Sequence, residues 1–168
     1  MNQELENTFL TNLEKNKQML LRVCSVYAVD QDDKNDLFQE VLINIWKSLP
    51  SFKGNSSLST WMYRITLNVC LTARTRLAKK KKRFVNMDSI TISRYRGETD
   101  TEEENPLLRH LRTCMKEMNE TDKALIALYL EELPYREIAA IIGITENHVA
   151  VKMKRLRSKL LNCIKGKS

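Results

Sequence analysis

The chain's 168 residues are 42% hydrophobic, enough for one large domain or two small ones with a real core, and too many for wholesale disorder. Its 28 Lys and Arg outnumber 21 Asp and Glu, and the net charge of +7 favours a polyanionic partner, either nucleic acid or an anionic membrane surface. Four scattered glycines (Gly54, Gly97, Gly143, Gly166) exclude a Gly-rich phosphate loop, and two histidines, His110 and His148, exclude paired-His metal sites, so no cofactor and no metal is expected.

Glu4 and Glu6 with no apolar run behind them do not read as a secretory signal. Phe9, Leu13, Leu20, Leu21, Cys24 and Tyr27 recur at helical spacing and predict one long or broken helix over about residues 3–28. Leu37, Val41, Ile45 and Leu49 repeat every fourth residue, with Phe38, Leu42 and Trp46 beside them, and predict a second helix. Asp30, Asp32, Asp33 and Asp36 suit its N-terminus through capping and the helix dipole, and Pro50 stops it. Its polar edge, Asp36, Gln39, Glu40 and Asn44, is free for a protein partner.

From Phe52 to Trp61, small polar residues surround Gly54 between two aromatics. The stretch reads either as a loop that holds an unstacked base or as an ordinary connection over core aromatics. Leu58, Trp61, Met62, Ile65 and Val69 mark a third helix that runs out into Arg74, Arg76, Lys79 to Lys82 and Arg83. Seven cations in ten residues is a density suited to phosphates.

Charge then reverses. Residues 84–105 hold two cations and six acids, with periodicity fading, and read as a flexible, self-repelling linker. Helical patterns resume over Leu107–Met118, Thr121–Glu131, Pro134–Ile142 and Thr145 to about Ile164. Ala139, Gly143 and Val149 have helix-turn-helix spacing: a small residue where the second helix crosses, a glycine for a left-handed turn, and a β-branched residue to dock. Thr145 suits the N-cap of the second helix. That helix sets a Val149, Met153, Leu156 and Leu160 stripe opposite Asn147, His148, Val151, Lys152 and Arg155, with no acid after Glu146. Polar residues near its start for base edges and cations for phosphates describe a recognition helix.

The expected fold class is therefore all-α: two small helical bundles, residues 1–83 and 106–168, joined by the flexible acidic linker, the C-terminal one carrying the helix-turn-helix. Cys24, Cys70, Cys114 and Cys163 show no metal-ligand or CxxC spacing and are expected to be buried free thiols. The longest apolar run, Ala124 to Leu130, is too short to span a bilayer, so no membrane insertion and a cytoplasmic location are expected. No nucleophile–base constellation is visible, and an enzyme is not expected.

The residues Asp36-Leu37-Phe38-Gln39-Glu40-Val41, Phe52-Lys53-Gly54-Asn55-Ser56 and Thr60-Trp61-Met62-Tyr63-Arg64-Ile65 with Asn68, followed by Leu133-Pro134-Tyr135-Arg136-Glu137-Ile138-Ala139 through Val149 and Arg155, resemble a bacterial RNA polymerase sigma factor of the sigma-70 family, extracytoplasmic-function type. The resemblance covers roughly residues 5–83 and 107–164, and the order of its two motif sets is its most specific part.

It implies that Asp36, Gln39 and Glu40 bind clamp helices of the polymerase's largest subunit. It implies that Phe52, Asn55, Ser56, Trp61, Arg64, Asn68, Arg74 and Arg76 capture a flipped base and the melted strand of the minus-ten element. Thr145, Asn147, His148, Val151, Lys152 and Arg155 would read the minus-thirty-five element, with the module resting on the polymerase flap. The implied partners are core RNA polymerase and promoter DNA, with an anti-sigma protein as a further expectation. The chain departs from the family at Ala150 and Val151, where a basic or polar residue usually follows the docking valine. Apolar groups meet thymine methyls and cannot bond a guanine, so a relative's promoter sequence cannot be borrowed. The rival reading is a stand-alone helix-turn-helix regulator whose N-terminal module dimerises or senses a ligand.

Overall fold

The computed structural model describes residues 3–84 and 105–167, with the side chains of 78–84 and 167 excepted. The described residues form seven α-helices: α1 (Gln3–Tyr27), α2 (Gln31–Ser48), α3 (Leu58–Phe84), α4 (Pro106–Lys116), α5 (Glu120–Leu130), α6 (Tyr135–Ile142) and α7 (Glu146–Lys167). The all-α expectation holds. Most of the acidic linker, residues 85–104, and the side chains of Lys79 to Arg83 lie outside the described residues.

In the first bundle α1, α2 and α3 pack on one another. Leu20, Val23, Cys24 and Tyr27 of α1, Leu37, Val41 and Ile45 of α2, and Met62, Tyr63, Leu67 and Cys70 of α3 are buried at three- and four-residue steps, the stripe each helix needs to cover its neighbours. The Asp30 side chain accepts from the Asp33 amide at 2.8 Å and caps α2, and Pro50 sits in a short 3-10 turn, Leu49–Ser51, that ends it.

The second bundle is built round α5. Lys123 to Leu128 are all buried, so this helix is covered on every side. That explains the uninterrupted apolar run: it belongs to a central helix, not to a two-faced one. The buried Lys123 ammonium reaches the Glu120 carboxylate at 3.4 Å. Helices α6 and α7 cover part of α5, and α1 of the first bundle covers another part. The two bundles are therefore in direct contact and share one continuous buried cluster.

Two of the four cysteine expectations need correction. Cys24 and Cys70 are buried and free, as expected. Cys114 on α4 and Cys163 on α7 instead form a disulfide, their Cα atoms 6.0 Å apart. Nothing in the sequence spacing marks them as partners, because they lie 49 residues apart and only the packing of α4 on α7 brings them together.

Two buried tyrosines make the core sensitive to alkali. The Tyr27 hydroxyl donates to the Glu120 carbonyl at 2.9 Å, across the two bundles. Burial pushes the phenols of Tyr27 and Tyr63 well above their ordinary value. Unfolded tyrosines ionise near pH 10 and the folded ones only higher, so their contribution is complete below about pH 10 and is lost as pH rises beyond it. The urea midpoint should fall between about pH 9 and 11 more steeply in the parent than in the Tyr27→Phe, Tyr63→Phe double variant. At neutral pH, Tyr27→Phe alone should cost about 1 kcal/mol, the worth of its hydrogen bond.

Candidate nucleic-acid interface

The helix-turn-helix is α6, a tight turn and α7. Gly143 has φ +87° and closes α6 with its amide on the Ala139 carbonyl at 2.8 Å, the left-handed position the spacing required. Ala139 is buried, and Ile138 and Val149 are fully so, where α7 crosses. The Thr145 hydroxyl accepts from the His148 amide at 3.1 Å, so Thr145 caps α7. Pro134 falls one position earlier than expected, just before the first residue of α6.

On α7, Asn147, His148, Val151 and Arg155 are exposed on the side away from buried Val149, Met153 and Leu156, and half-buried Lys152 flanks that buried stripe. Val151 is 52% exposed, too much for a core residue and consistent with an apolar probe directed at a groove. Arg157 is used differently from the other cations of this helix. Its guanidinium lies 5.4 Å over the Tyr129 ring and braces α7 against α5.

The loop before α3 turns at Gly54, φ +75°, and exposes Asn55, with Ser56 half-buried. The flanking rings of Phe52 and Trp61 meet at 5.1 Å and close the base of the loop. Ser57 starts α3, its hydroxyl accepting from the Thr60 amide at 3.1 Å. Trp61, Arg64 and Asn68 follow at three- and four-residue steps and share one side of α3.

That side is occupied at Arg64. The Arg64 guanidinium donates to the Ala140 carbonyl, its Nε at 3.0 Å, so the first helix of the helix-turn-helix sits against α3 at Arg64, while Asn68 stays exposed. Beside it, Arg22 of α1 makes a two-pronged pair with Glu131 at the end of α5, at 2.5 and 2.8 Å. The Glu131 carboxylate holds the Arg22 guanidinium above its ordinary value. Arg22, Glu131, Tyr27 and Ala140 were not anticipated. Their partners lie 76 to 109 residues away, and no local pattern encodes such pairs.

Asp36 and Gln39 are exposed on α2 and Glu40 is half-buried. Glu40 is paired with Arg76 of α3 at 3.0 Å, which ties the expected polymerase side to the expected strand-holding helix. Ile43, three residues past Glu40 and 53% exposed, extends this side with an apolar residue that sequence reasoning passed over. Arg74 is half-buried at a small cleft that Arg76 also lines. Among the described residues no group of His, Cys, Asp and Glu could hold a metal ion, and no helix is long and apolar enough to cross a membrane.

The family profile for sigma-70 region 2 matches residues 13–80, and that for sigma-70 region 4 matches residues 108–160. The chain is similar to the ECF RNA polymerase sigma-E factor of Haemophilus influenzae, 30% identical over 148 residues that make up 81% of this chain and 77% of that one. It belongs to the sigma-70 family, in the extracytoplasmic-function branch. A second relative, the ECF RNA polymerase sigma factor SigG of Mycobacterium tuberculosis, is 40% identical over 70 residues, 42% of this chain but only 19% of SigG. The sigma factor RpoE of Bartonella quintana, solved with the anti-sigma factor NepR, has the same fold. Its TM-score is 0.72 at 19% identity, over 94% of this chain and 97% of that one. Region 2 thus corresponds to the α1–α3 bundle, and region 4 to the bundle that carries the helix-turn-helix.

The packing of region 4 on region 2 can be tested without any partner. Arg22→Ala combined with Arg64→Ala removes the two arginine bonds between the bundles and leaves Tyr27 on the Glu120 carbonyl. The double variant should keep its helical circular dichroism and its radius of gyration by small-angle X-ray scattering, because the apolar contact around α5 outweighs the two bonds. A larger radius of gyration would mean that the arginine bonds, and not the apolar contact, hold the bundles together.

Proposed function

We propose that this chain is a promoter-recognition subunit that acts with core RNA polymerase, in the cytoplasm, and helps melt the minus-ten element to start transcription. Membership of the sigma-70 family supports this, and one structural observation carries it: α7 presents Asn147, His148, Val151, Lys152 and Arg155 together, capped by Thr145, on a basic helix. On this reading Asp36, Gln39 and Glu40 meet the polymerase. Phe52, Asn55, Ser56, Trp61, Arg64, Asn68, Arg74 and Arg76 serve the minus-ten strand, and the α7 residues read the minus-thirty-five duplex. The acidic segment 84–105 joins the two modules.

The closed arrangement is then a resting one. The two promoter elements lie about 25 base pairs apart, about 85 Å of duplex. Bundles bonded directly through Arg64 and Ala140 cannot reach both at once. Arg64 must leave Ala140 before it meets DNA. An anti-sigma protein, of the kind bound to the Bartonella RpoE, would act by keeping such an arrangement closed.

The first test is transcription by core polymerase with and without the chain, followed by sequencing of the transcripts. New start sites that depend on the chain are expected. Sequence-specific duplex binding by the chain alone, with no effect on polymerase, would favour the stand-alone regulator instead. Gln39→Ala should weaken association with core polymerase while leaving the fold intact, and it is the cleaner variant because Glu40 also holds Arg76.

The recognition helix has its own signature. Arg155→Ala should cost about 1–3 kcal/mol of binding and relax preference at one base pair. Lys152→Ala should weaken all sequences alike and lower the salt dependence by about one charge. Both are read by titrating upstream-element variants at several salt concentrations.

A further inference from the structure

We propose that Cys114 and Cys163 form a thiol–disulfide switch that fixes or releases the distal half of α7, and through it the promoter-reading module. The functional half of this inference rests on the reading above; the conformational half does not.

The bond is the covalent part of the packing of α4 on α7, at a point where that packing is shallow. Along α7, Val149, Met153 and Leu156 are buried. After Leu156 no described residue is buried, and only Leu160, Cys163 and Ile164 are half-buried. The covalent link to Cys114 therefore fixes the last three turns where no side chain is fully buried. On the other side, α4 contributes just two buried residues, Cys114 itself and Met115. Its Leu107 and Leu108 are 58% and 49% exposed. Reduction thus loosens both partners of the bond.

The released segment also forms a wall. Leu160, Leu161 and Ile164 line an open groove of about 500 Å³ with Tyr135 of α6, and Lys154 and Arg157 lie along it. With the disulfide intact the groove has a fixed shape, and α7 is held straight from its DNA end to its last turns. With the disulfide open, the groove loses that wall.

The two cysteine pairs differ in the way a switch needs. Cys24 and Cys70 are sealed in the region 2 core. Their shared hydrogen bond, and then burial, push the Cys70 thiol far up, which leaves it inert. Cys163 is half-buried and Cys114 only 2% exposed, so Cys163 is the sulfur an oxidant reaches first. A Glu117 carboxylate oxygen lies 3.9 Å from the Cys163 sulfur and is placed to accept from the thiol after reduction. Both redox states are therefore accommodated. In a reducing compartment a disulfide of this kind is transient and sensing, not a permanent staple.

A low-molecular-weight disulfide is a sufficient oxidant. The Cys163 thiolate attacks one of its sulfurs, forms a mixed disulfide and expels one small thiol. The Cys114 thiolate then attacks the Cys163 sulfur and expels the second. Two protein S–H bonds are lost and one S–S bond forms. The two electrons and two protons leave on the two small thiols, and dithiothreitol reverses the sequence.

The experiment uses the full chain, oxidised with glutathione disulfide or reduced with dithiothreitol. Mass spectrometry should show the oxidised chain lighter by two hydrogens, with Cys114 and Cys163 in one linked peptide. Hydrogen exchange of residues 157–167 should be at least about tenfold faster in the reduced chain, and equally fast in Cys163→Ser and Cys114→Ala under both conditions. With core polymerase, transcription from promoters that need the upstream element should be about fivefold higher with the oxidised chain, and neither variant should respond. Failure to form the linked peptide, equal exchange in the two states, or a response that survives in Cys163→Ser would overturn the switch. Equal transcription in the two states would overturn its functional half. Absence of any transcription in either state would instead overturn the promoter-recognition reading, and an exchange contrast would still uphold the conformational switch.

Discussion

One burial problem organises the molecule: α5 is apolar all round and has to be covered on every side. Six consecutive buried residues, Lys123 to Leu128, cannot be satisfied by the two helices of a helix-turn-helix alone. The remaining surface is taken by α1, which brings the two bundles together. Around that apolar contact the polar bonds fall into place: Tyr27 on the Glu120 carbonyl, Arg22 on Glu131, Arg64 on the Ala140 carbonyl. The order of importance follows from magnitudes. An exposed arginine pair such as Arg22–Glu131 contributes about 1 kcal/mol even in two-pronged geometry, whereas each large side chain taken out of water contributes about 1.5–3 kcal/mol.

The same contact has a functional consequence. Region 4 rests on the side of α3 that carries Trp61, Arg64 and Asn68, so the hydrogen bond that stabilises the closed form occupies a proposed DNA contact. The recognition surface of α7 remains open, with Val151 and Arg155 exposed. Closure therefore affects the two proposed DNA-facing surfaces unequally. On the proposed reading it engages Arg64 on the strand-holding side, where Asn68 stays exposed, and leaves the duplex-reading side free. Opening exposes apolar surface of α1 and α5, and on the proposed reading a partner that covers other surfaces of both bundles has to offset that cost.

Cations in this chain are not equivalent, although the sequence writes them alike. Arg22 and Arg64 hold the bundles together, Arg157 stacks on Tyr129, and Arg76 is paired with Glu40. Arg155 stands exposed on the recognition side of α7. A net charge of +7 attracts a polyanion at long range, but only the cations not used inside the protein can grip it.

By itself the sequence determined what depends on near neighbours. Helical spacing located α1, α2 and α3, Asp30 and Thr145 supplied caps, and Gly143 marked the left-handed turn of the helix-turn-helix, because each of these is decided within a few residues of backbone. The exposed side of α7 was legible for the same reason: a buried stripe at 149, 153 and 156 leaves only one side for Asn147, Val151 and Arg155. Tertiary structure alone decided which distant residues meet. The Cys114–Cys163 bond spans 49 residues and the Arg22–Glu131 pair spans 109. Neither leaves a periodic trace, because their partners are set by how whole helices pack. The run from Ala124 to Leu130 lies between these cases: its apolar character was plain in the sequence, but that α1 would complete its cover became visible only when the bundles came together.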